Sequence, residues 1–266
     1  MRGLVVSVVL CGVVLGPVPV SAQAPDTVLL EELTWTEVRD ALRAGKTTII
    51  VPAGGTEQNG PHMTLGKHNV RVRILSQAVA RALGDALVAP VIAYVPEGGV
   101  TPPTGHMRFP GTITVPEEAF QKVLESAARS LRQHGFRNIV LLGDHGSTQA
   151  GQRAVAARLN REWAATTVRV HAIEEYYRAA ETEVPRQLRS RGYPEAEVGR
   201  HAGLADTALA LALEPRLVRA DRLRPGSRED GVDGDPTRAT AELGRPGVEL
   251  IVSRTVEAVR KSISHR

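Results

Sequence analysis

The stretch Asn138-Ile139-Val140-Leu141-Leu142-Gly143-Asp144-His145-Gly146-Ser147 decides the reading of the fold. An unbroken apolar run stops at a glycine, and an acid and an imidazole follow at once. A run of this length, bounded by turn residues, reads as a strand buried on both faces. Beyond it, residues 149–163 have helical periodicity and residues 167–173 are again β-prone. The same alternation extends toward the N-terminus. Residues 47–51 form a short strand that stops at Pro52, residues 72–83 a helix closed by Gly84, and residues 86–94 a buried strand. Thr34-Trp35-Thr36-Glu37 fits a capping box that opens a helix, with Gly45 suited to end it. Pro116, followed by Glu117 and Glu118, suits the start of a helix running to His134-Gly135. Residues 248–262 close the chain as a helix, after a Pro-, Gly- and charge-rich segment, 222–247, that reads as a long surface loop. Repeated strand–helix–strand order predicts an α/β protein, a single-domain sandwich with a mostly parallel central sheet flanked by helices. In such folds ligands collect at the carboxyl ends of the strands.

Composition narrows the function. The 266 residues are 42% hydrophobic, ample for a packed core, and only 3% aromatic. A formal charge of +4, from arginines scattered without a dense run, gives no nucleic-acid groove. Residues 1–22 read as a secretory signal: Arg2 supplies positive charge, residues 4–15 an apolar run, and Val20-Ser21-Ala22 a cleavage pattern, with Ala22-Gln23-Ala24 as a second register. The expectation is an exported protein, periplasmic or secreted, made of residues 25–266 and free of the membrane after cleavage. Cys11 is the one cysteine and lies in that leader, which leaves neither disulfide nor thiol catalysis to the remainder.

Three polar segments carry the candidate chemistry. After the first strand, the loop 54–69 holds Glu57, His62 and His68 among glycines. After the strand at 138–142 come Asp144 and His145. His201 and Asp206 flank a third, at a helix start. Carboxylates and imidazoles are donors for Zn²⁺ or Mn²⁺ and equally the parts of an acid/base site. The residues alone support both.

These segments resemble the creatininase family of metal-dependent amidohydrolases. Leu33-Thr34-Trp35-Thr36-Glu37 is similar to the family's opening segment, and Pro52-Ala53-Gly54-Gly55-Thr56-Glu57-Gln58-Asn59-Gly60-Pro61-His62 to its signature. Phe109-Pro110-Gly111-Thr112, Leu142-Gly143-Asp144-His145-Gly146 and His201-Ala202-Gly203 through Asp206-Thr207 follow in the family's order. The resemblance implies an α/β fold, a mononuclear or dinuclear Zn or Mn site, a small-molecule amide as substrate and assembly as a homo-oligomer.

Carried over residue by residue, Glu57 and His145 match metal ligands. The signature's second ligand, a histidine in the family, is Asn59 here; the bridging aspartate falls at His68, a glutamate at Ser147, and the later glutamate is shortened to Asp206. An imidazole cannot bridge two cations as a carboxylate does. The resemblance with these departures implies one ion rather than two, held by Glu57, His68, His145 and Asp206. Asp144 and His62 stand as replacement ligands or as partners orienting an imidazole. His201 matches the histidine that would pass a proton to the leaving nitrogen, with Asp144 beside it in the catalytic set. Asn59, His62, His106 and Tyr177 are candidates for contacts to substrate or around the ligands. The function implied is hydrolysis of a C–N bond in a cyclic or linear amide by metal-activated water. The alternative is a catalytically silent metal- or ligand-binding protein on the same scaffold.

Overall fold

The computed structural model describes residues 26–264. The expected signal segment, Cys11 and His265 lie outside the described residues. Four strands, β1 (Thr48–Ala53), β2 (Ala86–Val88), β3 (Asn138–Gly143) and β4 (Arg169–Ala172), form one sheet in the order β2-β1-β3-β4. Every pairing is parallel, with Thr48 opposite Ala86 and Asn138, and Asn138 opposite Arg169.

The helices α1 (Trp35–Arg43), α2 (Lys67–Leu83), α3 (Glu117–Gln133) and α4 (Thr148–Glu162) connect or precede the strands. After β4 come α5 (Glu174–Arg178), a π-helical turn (Ala179–Glu183), α6 (Val184–Ser190), α7 (Glu195–Val198), α8 (Leu204–Leu213) and α9 (Ala241–Ser264).

β1 and β3 are buried along their whole length. Alternate side chains therefore feed two cores. Ile50, Val140 and Leu142 pack with Val72, Leu75 and Val79 of α2, Leu209 of α8 and Ile251 of α9. Ile49, Val51, Ile139 and Leu141 pack on the other face with Phe120 and Leu124 of α3, Val155 and Leu159 of α4, and Trp163. Helices cover both faces, so the expected sandwich is present. The capping box also forms: Thr34 accepts from the Glu37 amide and the Glu37 carboxylate accepts from the Thr34 amide.

The first strand continues through Pro52 to Ala53, paired with β3, where the sequence suggested a stop at the proline. Three further boundaries differ from the sequence reading, each for a physical reason. The strand expected over 86–94 pairs only to Val88; Pro90 has no N–H to give, and Ile92 and Val95 then make isolated bridges. Helix α2 begins at Lys67 rather than 72, because Lys67, His68 and Arg71 are buried by charge pairing that an apolar count does not register. Helix α9 begins at Ala241, inside the segment read as a loop, despite Pro246 within it. Leu243 packs there against Leu204 and Ala208 of α8, and this contact outweighs the local breakers.

Candidate active site

All four strands point their carboxyl ends at one edge of the sheet, and the segments leaving that edge build one pocket. Glu57 and Gln58 follow β1, and Glu97 and His106 lie on the long segment after β2. Asp144 and His145 follow β3 directly. The Asp144 amide donates to the Ala53 carbonyl at 2.9 Å, which ties the turn after β3 to the end of β1. The pocket, about 250 Å³, is lined among others by Glu57, Lys67, His106, His145, Tyr177 and His201.

One half of the pocket gathers donors without giving them partners. Glu57 Oε2 lies 3.0 Å from His106 Nε2 and 3.1 Å from His145 Nε2, and His145 Nε2 is 3.3 Å from Glu97 Oε2. Yet Glu57 Oε2 and both Glu97 oxygens, all buried, make no hydrogen bond among the described residues. Buried polar atoms left unpaired are costly and rare. The four side chains offer ligand atoms within 4.8 Å of one another. Orphaned carboxylate oxygens and imidazole nitrogens aimed at a common point fit a divalent cation such as Zn²⁺ or Mn²⁺.

The surroundings favour the same use. A Cβ on Gly55 would sit 2.6 Å from Glu97 Oε1 and would displace this carboxylate from its present position. The Ser147 hydroxyl lies 2.7 Å from His145 Nδ1 and orients the ring, as partners behind a metal-binding histidine do. Without an ion, burial and then the Glu57 charge push the Glu97 carboxyl up to about 9. Burial opposes ionisation of Glu57 too, but His68 and His145 outweigh it and hold that carboxyl far below the usual range. Gln58 Nε2 lies 3.1 Å from His106 Nδ1, and Gln58 Oε1 is already held by the Gly60 amide at 2.9 Å. The Gln58 side-chain nitrogen has two hydrogens for three neighbours, since the Gly231 carbonyl and His201 Nε2 each lie 3.0 Å from it as well. Glu57, Glu97 and His145 form the stronger part of the donor set.

The other half is a closed ion network. His68 lies between two carboxylates, Nε2 at 2.7 Å from Glu57 Oε1 and Nδ1 at 2.7 Å from Asp144 Oδ2. Burial and the Lys67 charge oppose protonation of His68, but these two carboxylates outweigh them and raise its pKa. An imidazolium donating to both acceptors satisfies the geometry. Arg71, 1% exposed, reaches Asp144 from Nε at 2.8 Å and Asp206 from Nη1 at 2.7 Å. Lys67, also 1% exposed, pairs with Asp206 at 2.9 Å. Tyr176 donates to Asp144 Oδ1 at 2.5 Å.

The residues singled out in the sequence thus fall into distinct places. Glu57, His145 and His106 converge, joined by Glu97. His68, expected to ligate, has both nitrogens on carboxylates. Asp206, expected as a fourth ligand, has its carboxylate on Lys67, Arg71 and the Ala202 amide. Asp144 lines the pocket as the shared acceptor of His68, Arg71 and Tyr176. Asn59 braces its own loop, donating to the Glu57 and Thr64 carbonyls, and His62 pairs with the Thr207 hydroxyl. Tyr177 lines the pocket.

His201 also lines the pocket. Its Nε2 is 3.0 Å from the Gln58 backbone carbonyl, which only accepts, and 3.0 Å from the Gln58 side-chain nitrogen, which only donates; the tautomer with its proton on Nε2 bonds the backbone carbonyl. Nδ1 is left 3.9 Å from Glu57 Oε1, and burial, with Lys67 nearby, pushes the ring's pKa down to about 4. This neutral ring can accept a proton from the pocket side but holds its own against the backbone. Sequence reasoning missed Glu97, Gln58, Lys67 and Arg71. Glu97 had a signal, since Val95-Pro96-Glu97-Gly98-Gly99 is a polar turn after a β-prone run; the basic pair had only the i, i+4 row that continues to Leu75.

The fold and site together define a class: an α/β protein with a carboxylate–imidazole centre at the carboxyl edge of a parallel sheet. The family model described as creatinine amidohydrolase matches residues 31–259, and the chain belongs to that creatininase family. Among relatives, the creatinine amidohydrolase of Pseudomonas putida is 29% identical over 203 residues, covering 74% of this chain and 76% of that protein. The mycofactocin precursor peptide peptidase of Mycobacterium tuberculosis is 29% identical over 246 residues, covering 80% and 85%. A crystal structure of creatinine amidohydrolase superposes with a TM-score of 0.75 at 25% identity, covering 90% of this chain and 99% of that one. A manganese form of creatininase gives 0.73 at 26% identity, covering 89% and 99%. The chain is accordingly a hydrolase of this family, built on a fold that carries metal-dependent chemistry.

Proposed function

We propose that this protein is an exported, metal-dependent amidohydrolase that cleaves a C–N bond in a small cyclic or linear amide. One observation carries the reading: three buried carboxylate oxygens, on Glu57 and Glu97, stand unpaired beside His145 Nε2. Glu57, Glu97 and His145 would hold one Zn²⁺ or Mn²⁺, with His106 as the fourth donor. When bound, such an ion polarises a carbonyl and lowers the pKa of water from 15.7 toward about 7. The residues around it do the rest. Ser147 fixes the His145 ring, Gln58 fixes His106 and His201, and His201 presents Nδ1 to the pocket as a proton acceptor. A single ion suits a chain with Asn59 and Ser147 at two positions where the family carries ligands, and with His68 between Glu57 and Asp144. A pocket of about 250 Å³ suits a small substrate. Residues 1–24 support export, and the family resemblance supports a homo-oligomer.

Metal quantification and turnover test the reading together. Protein purified without chelators and supplied with Zn²⁺ or Mn²⁺ should hold one ion per chain and hydrolyse members of a panel of cyclic amides, formamides and short peptides. Glu57→Gln and His145→Ala should stay folded and lose both ion and turnover. Two tightly bound ions per chain would refute the single-ion site. Saturable ligand binding with no turnover would favour a silent binding protein.

A further inference from the structure

Amide hydrolysis needs a proton for the departing nitrogen, because an amine anion is too basic to leave. His201, with Nε2 against the Gln58 backbone carbonyl, has no proton to give on the pocket side until Nδ1 has accepted one. The same pocket offers another group. Helices α5 and α6 are joined by the π-helical turn Ala179–Glu183, where the Val184 amide reaches back to the Ala179 carbonyl. Such wide turns inside helices recur at functional sites. Here the turn places Glu181 four residues after Tyr177, and both side chains line the pocket with His145 and His106. Tyr177 stands close to the metal-side loop: a Cβ on Gly146 would lie 2.8 Å from its hydroxyl.

Glu181 is the pocket's uncommitted acid. Asp144 and Asp206 are locked into the ion network, and Glu57 and Glu97 belong to the donor set. Glu181 makes no hydrogen bond among the described residues; its nearest charge partner is Arg71 Nη2 at 4.0 Å, and its side chain is 29% exposed.

We propose that Glu181 is the proton donor to the leaving nitrogen, a role that rests on the amidohydrolase reading above. As the water oxygen bonds to the carbonyl carbon, the C–N bond breaks and its electron pair passes to nitrogen, which takes the Glu181 proton. The proton released by water restores Glu181, and the products are one carboxylic acid and one amine. The groups facing this carboxyl are Lys67, His68 and Arg71 of α2, Asp206 of α8, Tyr177 of α5 and His201. Burial first, and then the Asp206 charge, push it up to about 7, where an acid keeps its proton near neutrality.

The test uses the metal-loaded protein and substrates sharing one acyl group, with an alkylamine or a nitrophenolate as leaving group. Glu181→Gln should lose about 100-fold or more in kcat/KM on the alkylamide. On the nitrophenyl ester, whose leaving group needs no proton, it should stay within a few-fold of the parent. The parent's fall in kcat/KM above about pH 7 should vanish in the variant. Zinc titration calorimetry should be unchanged. Equal losses on amide and ester, or no loss on either, would overturn the proposal while leaving the amidohydrolase reading standing. No amide turnover by the parent would overturn that reading and this role together. A second measurement is independent of turnover and of how Glu181→Gln folds. In protein labelled with ¹³C at glutamate carboxyls, with Glu181→Asp to assign the signal, Glu181 should titrate near neutrality; titration in the ordinary carboxylate range would overturn the proposal.

Discussion

At the scale of single residues, the site divides between groups awaiting a partner and groups that already have one. Glu97 belongs to the first kind. In metal-free protein its carboxyl is protonated at neutral pH, so an ion must displace that proton to bind. Apparent affinity for Zn²⁺ should therefore rise with pH between 6 and 8, and Glu97→Gln should bind far more weakly at each pH, as read by calorimetry. Ser147 acts through His145: Ser147→Ala should cost about 10- to 100-fold in metal affinity without removing a ligand. Arg71 belongs to the second kind. Arg71→Met would leave Asp144 and Asp206 buried without their shared cation, and should cost about 3–5 kcal/mol in urea unfolding. Glu57 and His145 were legible in the sequence because they lie beside glycines at strand ends, in motifs with a known order. Glu97 was passed over, because it is a lone carboxylate in the turn after residues 86–94, with no histidine beside it to mark the position. His68 shows a different limit. Its residue type admits ligation, and only the positions of Glu57 and Asp144 show both nitrogens engaged.

Elements were more legible than their ends. The helix opened by Thr34 could be read because its cap is local in sequence, and the structure contains it in full. Thr34→Ala should lower stability by about 1 kcal/mol, seen as a fall of a few degrees in melting temperature, with the site unaffected. The start of α9 was hidden because Leu243 meets α8, more than thirty residues earlier in the chain. The start of α2 was hidden because charge, not apolar area, buries its first turn. That turn supplies Lys67, His68 and Arg71 together, so it joins the sheet edge to the pocket floor. The π turn after α5 was equally unreadable, since nothing in Ala179-Ala180-Glu181-Thr182-Glu183 distinguishes it from an ordinary helical turn.

For the whole molecule, the parallel sheet accounts for why residues far apart in sequence meet. Four strands with one direction place four departing segments at one edge, and the chemistry assembles there. The alternation of apolar strands with periodic helices made that architecture readable. Which side chains would touch was not, because it depends on loops whose paths no periodicity fixes. Stability should carry the imprint of the buried acids. Asp144 and Asp206 have folded pKa values below the ordinary range: burial opposes this, but Arg71 and, for Asp206, Lys67 outweigh it. Their contribution is present above the unfolded carboxylate pKa and is lost as pH falls through the lower folded values. Glu181 has the opposite sign. Its raised folded pKa means that stability falls as pH climbs from the ordinary range to about 7, and Glu181→Gln should abolish that slope in thermal melts of metal-free protein. The network of Lys67, His68 and Arg71 has one more consequence. These cations are stitched into the polypeptide, so no chelator can strip them and no competing ion can displace them. In surroundings starved of trace metals, part of the positive charge that shapes this pocket is inherited rather than acquired.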